Sequence, residues 1–278
     1  MTESLPGPAL LFCPADRPDR YHKALAAADS VILDLEDAVA AGNKETARAG
    51  LVGTPVDASR VIVRVNPADS PYYISDLAAL RQTEYRTIML AKTETRAQLD
   101  GLDAFDSELR VVALCETPLG VLNAPAIAAA PNVAAVMWGA EDLIAAMGGR
   151  SSRWEDGRYR DVALHARSAV LLAAAAHGKA AVDSVYLDIP DTDGLGDEAR
   201  DAAASGFAYK ACIHPSQAAV VRAAFQPGDA QVAWARKVLA AASDAAGTTG
   251  VIAVDGQMID APLLRQAEAI LASVRESA

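Results

Sequence analysis

The stretch VILDLED at positions 31–37 decides the fold, because it is a short apolar strand that ends in acidic residues. VIVRVN at 61–66 repeats this design with an arginine near its end. Further short apolar runs are ALLFC (9–13), TIML (87–90), RVVALC (110–115), VAAVMW (133–138), VDSVYL (182–187) and YKACI (209–213). Continuous apolar runs, in place of alternating ones, are typical of parallel strands that are covered on both faces.

Helical segments alternate with these strands. They are predicted at 18–28, 43–52, 74–82, 95–103, 119–130, 160–177, 194–205 and 215–225. Eight strands in regular alternation with helices predict a closed (β/α)₈ TIM barrel over residues 1–225, and no glycine-rich nucleotide motif favours an open sheet.

Residues 226–278 form a C-terminal extension in this interpretation, with a helix at 229–245, a hairpin-like segment and a last helix near Pro262. A closed eight-stranded barrel has no place for another strand. The extension is therefore expected to pack outside, against its own barrel or a neighbouring subunit.

The overall charge excludes several classes of partner. The chain has 278 residues, which suits one barrel with an appendage, and its net charge is −11. This charge argues against nucleic acid and anionic membrane surfaces as partners.

Neither an apolar run of membrane-spanning length nor a signal peptide is recognisable, so a cytoplasmic protein is expected. Cys13, Cys115 and Cys212 each end a predicted strand and are interpreted as apolar core residues.

Charged or polar residues follow almost every strand. They are Asp16 and Arg17, Glu36 and Asp37, Asn66, Lys92, Glu116, Glu141 and Asp142, Asp188, and His214. The C-terminal rim of a parallel barrel is where catalytic residues converge, so this pattern indicates an enzyme. His214 fits either a site residue or a structural rim histidine. The polar segment at 148–160 fits either a solvated loop or a lid near the rim.

Glu116 and Asp142 end neighbouring strands, which lie about 4.8 Å apart in a sheet. Two carboxylates there can hold one Mg²⁺, with water or substrate in the remaining positions. Capping of the following helices explains the same residues equally well. Glu141 competes with Asp142 for the metal role because the two are adjacent.

Asp34 and Glu36 point to one face of their strand, and Asp37 points to the other. An acid inside an apolar strand is costly unless it is paired. Arg64, at the end of the next strand, is the expected partner, and its planar fork also suits a substrate carboxylate or an enolate oxygen. Arg17 and Lys92 are candidates for binding phosphate groups.

Seven segments together resemble the citrate lyase β-subunit-like, stand-alone actinobacterial CitE-like branch of the HpcH/HpaI aldolase superfamily. These are LFCPADRPDR, VILDLEDAV, VIVRVN, ALCETPLG, MWGAEDL, CIHPSQ and DGQMIDAP, in order along the chain. The resemblance implies a barrel, usually trimeric, that binds Mg²⁺ and a CoA thioester. It assigns the metal to Glu116 and Asp142, and it places Arg64 beside the reacting carbonyl. It brings Asp260 into the active site of a neighbouring subunit, and it puts Arg17 and Lys92 near the CoA.

The resulting expectation is an acyl-CoA-dependent carbon–carbon lyase. It would cleave malyl-CoA or citramalyl-CoA to acetyl-CoA and a small oxo acid, glyoxylate or pyruvate, or run the reverse condensation. Arg64, Asp260, Glu36 and Asp37 are the expected catalytic residues. Arg17, Lys92, Asp34 and again Arg64 are expected to bind the substrate or CoA. The alternatives are a citrate lyase subunit acting on an acyl-carrier-protein thioester, a malyl-CoA thioesterase or malate synthase-like enzyme, an aldolase for free keto acids, and a noncatalytic scaffold.

Overall fold

A computed structural model describes residues 5–244 and 251–274. Eight parallel strands close into a barrel in sequence order, with β1 hydrogen-bonded to both β2 and β8. They are β1 (Ala9–Pro14), β2 (Ser30–Asp34), β3 (Val61–Val65), β4 (Thr87–Leu90), β5 (Arg110–Cys115), β6 (Val133–Trp138), β7 (Ala180–Asp183) and β8 (Tyr209–Cys212). The (β/α)₈ barrel predicted from the sequence is therefore confirmed.

Strand alternation decides which side chains fill the barrel. Ile32 of β2 and Ile62 of β3 belong to the apolar interior. Two residues further on, Asp34 and Arg64 point to the same side, and they are direct neighbours in the β2–β3 register. The apolar filling thus gives way to charged groups at the C-terminal end of the strands.

Helices cover the outside of the barrel between the strands. They are α1 (Tyr21–Ala27), α2 (Lys44–Gly53), α3 (Tyr73–Leu80), α4 (Arg96–Phe105), α5 (Pro118–Leu122), α6 (Ala124–Ala128), α7 (Ala140–Ala146), α8 (Asp161–Ala176), α9 (Thr192–Ser205) and α10 (Pro215–Phe225). Short 3₁₀ turns precede α1, α2 and β3 at Pro18–Arg20, Ala41–Asn43 and Ala58–Arg60.

Three elements differ from the sequence prediction. The helix predicted at 119–130 is divided at Asn123 into α5 and α6, because Pro125 has no N–H to continue the helical ladder. The seventh strand lies at 180–183 in place of 182–187, since the chain leaves the ladder after Asp183. Helix α7 was not predicted, and it begins directly after Gly139.

The C-terminal residues form the predicted helix, hairpin and helix. They are α11 (Asp229–Asp244), β9 (Ile252–Val254), β10 (Gln257–Ile259) and α12 (Ala261–Ser273). Asp255 and Gly256 both have positive φ, 52° and 78°, as a tight two-residue hairpin turn requires. Val238, Val254 and Ile259 form a small apolar core of this part.

The chain divides into two compact units, the first ending at Val221 and the second beginning at Arg222. The division falls inside α10. Within residues 5–244 and 251–274, no helix combines the length and the apolar character needed to cross a bilayer.

Candidate active site at the barrel rim

Asp34 and Arg64 form a buried, bidentate ion pair inside the barrel. Arg64 Nε and Nη2 donate to the two oxygens of Asp34 at 2.7 and 2.6 Å. Asp34 also accepts the backbone N–H groups of Glu36 and Ala38. Burial lowers the pKa of Arg64, but the adjacent Asp34 outweighs it and the pKa is raised. Asp34 therefore fixes both the guanidinium and the start of the following loop, as the expected pairing required.

Glu36 lies between two cations. Its Oε1 accepts from Lys92 Nζ at 2.5 Å, and its Oε2 lies 2.9 Å from Arg64 Nη1. The latter contact lacks hydrogen-bond geometry, so Oε2 has no hydrogen-bond partner among the described residues. Only 4% of Glu36 is exposed, and this burial raises the pKa of its carboxyl despite the two cations.

Lys92 contacts the remaining acidic residues at the rim. Its backbone N–H donates to Glu116 Oε1 at 3.0 Å, and its Nζ lies 3.3 Å from Asp142 Oδ1 and 3.7 Å from Asp37 Oδ2. The backbone has φ 48°, in the left-handed region that lysine rarely adopts. Burial lowers the pKa of Lys92, yet its hydrogen bond to Glu36 and the charge of Glu116 raise it above its usual value.

Glu116 and Asp142 meet where β5 ends and α7 begins. Burial, followed by the charge of Asp142, raises the pKa of Glu116 to about 8. Gly139 makes the approach possible, because a Cβ there would lie 2.9 Å from Glu116 Oε2 and 2.8 Å from Glu116 Cβ. An anion that is so strongly disfavoured by its surroundings would be stabilised by a divalent cation.

The donor set fits Mg²⁺. In the described part of the chain no three His, Cys, Asp or Glu side chains are arranged to hold a metal. Two carboxylates with the other positions left to water and substrate oxygens is nevertheless a normal arrangement for this ion. The competing acid Glu141 accepts a hydrogen bond from Ser152 Oγ at 2.6 Å. It is thus tied to the 148–160 segment, whereas Asp142 contacts Lys92, whose backbone N–H also binds Glu116.

A cavity of roughly 150 Å³ opens at this end of the barrel. Its lining consists of Phe12, Asp34, Arg64, Leu114, Glu116, Met137, Gly139, Ala140, Glu141, Asp142, Ser184, Val185 and Ile213. Apolar walls with a few convergent charged groups are typical of small-ligand sites. We call Asp34, Glu36, Arg64, Lys92, Glu116 and Asp142 the rim cluster.

Glu36 and Lys92 of the rim cluster are not part of this cavity lining, and neither are several other predicted site residues. Arg17 is largely exposed and forms an ion pair with Asp19. The side chain of Asp37 is 60% exposed and faces Lys92. Asp260 belongs to the C-terminal unit, where its carboxylate caps α12 by accepting from Leu263 N. His214 is exposed, and its ring bonds to Ser216 Oγ.

Lys44 is a supporting residue that the sequence analysis missed. Its buried ammonium donates to Leu35 O, Glu36 O and Asn66 Oδ1 at 2.6, 2.8 and 2.9 Å. Asn66 was expected at the rim, but it is buried and donates to Leu35 O and Asp76. Together they fix the backbone on both sides of Glu36. A lysine at the start of a helix resembles an ordinary solvated charge, so nothing in the sequence indicated this role.

A second set of charged residues, most of them buried or partly buried, lies between the barrel and the helices. Lys210 Nζ is fully buried and donates to Asp183 Oδ2 and Glu198 Oε1, both at 2.9 Å. Arg167 bridges Asp183 and Asp201 at 3.0 and 2.7 Å. Arg153, from the 148–160 segment, pairs with Glu198 at 2.8 Å. We call Asp183, Lys210, Arg167, Glu198, Asp201 and Arg153 the outer cluster.

The outer cluster faces away from the barrel interior. Val182 and Tyr209, next to Asp183 and Lys210, fill the interior, so Asp183 and Lys210 point to the helix layer. Burial raises the pKa of Asp183, but Lys210 and Arg167 outweigh it and hold the pKa below its usual value. The indole N–H of Trp138 also donates to Asp183 at 2.8 Å. The three cysteines are buried, as expected for core residues.

Comparison with known proteins places this arrangement in a family. Residues 9–215 match the model of the HpcH/HpaI aldolase/citrate lyase family. The citrate lyase subunit beta-like protein of Mycobacterium tuberculosis is 52% identical over 271 residues, which cover 98% of this chain and 97% of that protein. The mitochondrial citramalyl-CoA lyase of Homo sapiens is 33% identical over 291 residues, which cover 95% and 84%.

A crystal structure of protein CitE from Mycobacterium tuberculosis, in complex with magnesium, acetoacetate and coenzyme A, has the same fold. The TM-score is 0.91 at 52% identity, and the match covers 96% of this chain and 98% of that one. The barrel, the carboxylates at its rim and these similarities agree. This chain belongs to the HpcH/HpaI aldolase/citrate lyase family and is a lyase.

Proposed function

We propose that this enzyme cleaves a 3-hydroxyacyl-CoA of the malyl-CoA or citramalyl-CoA class, with Mg²⁺ as its cofactor. The products would be acetyl-CoA and glyoxylate or pyruvate, and the reverse condensation uses the same groups. The observation that carries the proposal is the meeting of Glu116, Asp142 and Arg64 around one rim cavity. The magnesium and coenzyme A of the similar CitE structure, and the citramalyl-CoA lyase relative, support it.

Glu116 and Asp142 would hold the Mg²⁺ in this proposal. The ion would supply Lewis acidity and a template for the hydroxyl and carboxylate oxygens of the acid portion of the substrate. The buried position of Glu116 keeps this carboxylate oriented, while the half-buried Asp142 borders the open side of the cavity.

Arg64 would stabilise the negative charge that develops on the thioester. When the bond between the α- and β-carbons breaks, its electron pair moves toward the thioester oxygen and forms an enolate. A guanidinium held by Asp34 on one side can donate to this oxygen from a fixed position. The preorganisation explains why the arginine lies in an otherwise apolar barrel.

Proton transfers complete the reaction. The substrate hydroxyl must lose its proton to become a carbonyl, and Glu36 and Asp37 are the carboxylates we propose for this step. The enolate carbon then needs a proton to become the methyl group of acetyl-CoA, and we propose Asp260 as its donor. Arg17 and Lys92 are the proposed cationic contacts of the CoA thioester.

Asp260 would reach this site from a neighbouring subunit of a homotrimer, with residues 226–278 packed on that neighbour. The resemblance to known family members motivates this arrangement. An aspartate is already satisfied as the cap of α12, and asparagine caps a helix about as well. Asp260→Asn therefore removes the acid with little expected effect on the fold.

Mixing inactive variants tests the arrangement in trans. Asp260→Asn and Glu116→Gln subunits, each inactive alone, should recover part of the activity when combined, because some sites then receive both intact groups. The measurement is turnover after subunit exchange has been demonstrated by mass spectrometry. Exchange without any recovery would place Asp260 outside the neighbour's site.

Product analysis tests the reaction itself. The protein is incubated with Mg²⁺ and a panel of 3-hydroxyacyl-CoAs, and the products are identified by mass spectrometry. Acetyl-CoA together with an oxo acid is the expected result. Free CoA and a hydroxy acid would instead identify a thioesterase, and no turnover without an acyl carrier protein would favour a citrate lyase subunit.

A further inference from the structure

Lys92 touches more acidic groups than any role in CoA binding requires. Its Nζ contacts Glu36 at 2.5 Å, Asp142 at 3.3 Å and Asp37 at 3.7 Å, and its backbone N–H donates to Glu116 at 3.0 Å. Both proposed metal ligands are therefore bound by this one residue.

The ammonium is held in this place by the fold. Its backbone adopts a conformation that side-chain-bearing residues disfavour, with φ 48°. Glu36, its shortest contact, is in turn fixed by Arg64 and by the hydrogen bond from its own N–H to Asp34. The side chain is 31% exposed, so the ammonium has access to solvent.

Charge makes the ammonium a competitor for a metal ion. A cation at 3.3 Å from Asp142 neutralises part of the charge that would attract Mg²⁺, and it repels an ion arriving between Asp142 and Glu116. Arg64 is also positively charged, but two hydrogen bonds to Asp34 anchor its guanidinium, so it cannot withdraw when an ion binds.

We infer that Lys92 is an internal counter-ion of the metal site, which lowers the affinity for Mg²⁺ and withdraws from Asp142 when the ion binds. The inference rests on the proposed metal site of Glu116 and Asp142. Metal entry would thereby free the ammonium of Lys92 for an anionic group of the incoming thioester. Binding of Mg²⁺ and release of the Lys92 ammonium toward the substrate would then occur together.

Direct measurement of Mg²⁺ binding separates this role from a supporting one. We expect isothermal titration calorimetry at pH 8.5 to show that Lys92→Met binds Mg²⁺ about tenfold more tightly than the wild type, since a like charge has been removed. Lys92→Asn should behave similarly, and asparagine tolerates the left-handed backbone, which protects the test against misfolding. A merely supportive lysine would give weaker binding in both variants.

Matched controls keep the charge or remove it elsewhere. Lys92→Arg retains a cation and should bind Mg²⁺ within about twofold of the wild type. Lys179→Met deletes a positive charge at the opposite end of the barrel, where Lys179 bonds to Val133 O, and should also leave the affinity unchanged. Unfolding temperatures without metal check that each variant is folded.

The outcomes distinguish the inference from the proposed function. Tighter binding in Lys92→Met and Lys92→Asn alone supports the counter-ion role. Equal or weaker binding in both, with normal binding by the wild type, overturns it and leaves the metal site intact. Absence of Mg²⁺ binding from the wild type and from every variant would overturn the proposed metal site itself.

Discussion

The rim cluster and the outer cluster are built from the same residue types, yet their electrostatics are opposite. At the rim, four carboxylates face two cations, and the pKa of Glu116 is raised to about 8. Outside the barrel, three carboxylates face three cations, and the pKa of Asp183 is lowered. Burial acts on both, so the difference comes from charge balance. An excess of buried acid beside a cavity indicates a site that awaits a cation, whereas a balanced set indicates structure.

Loss of the metal site should have the largest effect. EDTA should abolish turnover, and Glu116→Ala should abolish Mg²⁺-dependent substrate binding while the fold survives, because the buried ligand of the pair is gone. Turnover is followed by mass spectrometry of the products, and folding by circular dichroism. Glu141→Gln is the matched control, since this neighbouring acid is bound by Ser152. Full activity in a metal-stripped sample would contradict the proposed carboxylate pair.

Arg64→Lys should lower kcat by a factor of about 10²–10³, although the charge is kept. An ammonium cannot form bidentate hydrogen bonds with Asp34 and at the same time face the substrate. The comparison is Arg167→Lys in the outer cluster, which should change stability and leave kcat nearly unchanged. Both variants need steady-state kinetics at saturating Mg²⁺. A kcat of Arg64→Lys near that of the wild type would remove the guanidinium from the mechanism.

Lys210→Met should lower the free energy of unfolding and leave kcat nearly unchanged, in contrast to Arg64→Lys. Removal of one partner leaves Asp183 and Glu198 short of a buried cation, which costs about 3–5 kcal/mol of the free energy of unfolding. Urea denaturation measures this loss, and kcat of the folded protein should stay within about threefold of the wild type. Lys237→Met breaks the exposed pair with Asp255 and should cost about 1 kcal/mol or less. A loss of kcat greater than the loss of folded protein would connect the outer cluster to catalysis.

The stability of the metal-free protein should depend on pH through Glu116 of the rim cluster. The folded pKa of Glu116 is raised, so its contribution to stability is complete below about 4.5 and is lost as the pH rises through about 8. Glu116→Gln removes this loss. Between pH 5 and 8.5 in EDTA, urea denaturation should show the variant gaining about 1–3 kcal/mol relative to the wild type. At pH 8.5, saturating Mg²⁺ should instead make the wild type more stable than Glu116→Gln. If the stabilities of the two proteins in EDTA change with pH in parallel, the pKa of Glu116 is not raised in the folded state.

The sequence predicted the inner face of the rim better than the network behind it. Asp34 and Arg64 could be paired because each is improbable alone in an apolar strand, and the positions after the strands follow from barrel geometry. Lys44 and Lys210 could not be found in this way. A buried lysine has the same sequence appearance as an exposed one, and its long side chain can reach several partners, here Asn66 for Lys44 and Asp183 for Lys210. These contacts become visible only when the strands and the helices around them are in place.

The absence of a side chain at Gly139 turns one position into a diagnostic for related barrels. An alanine there would retain the strand, the turn and helix α7, since the backbone φ of −124° suits any residue, but its methyl group would collide with the carboxylate of Glu116. A homologous chain could therefore keep the whole architecture, and even both acidic residues, while the acid of the fifth strand is displaced. When uncharacterised members of this superfamily are sorted into enzymes and inactive copies, the residue two positions before Glu141 and Asp142 should be considered together with the acids themselves.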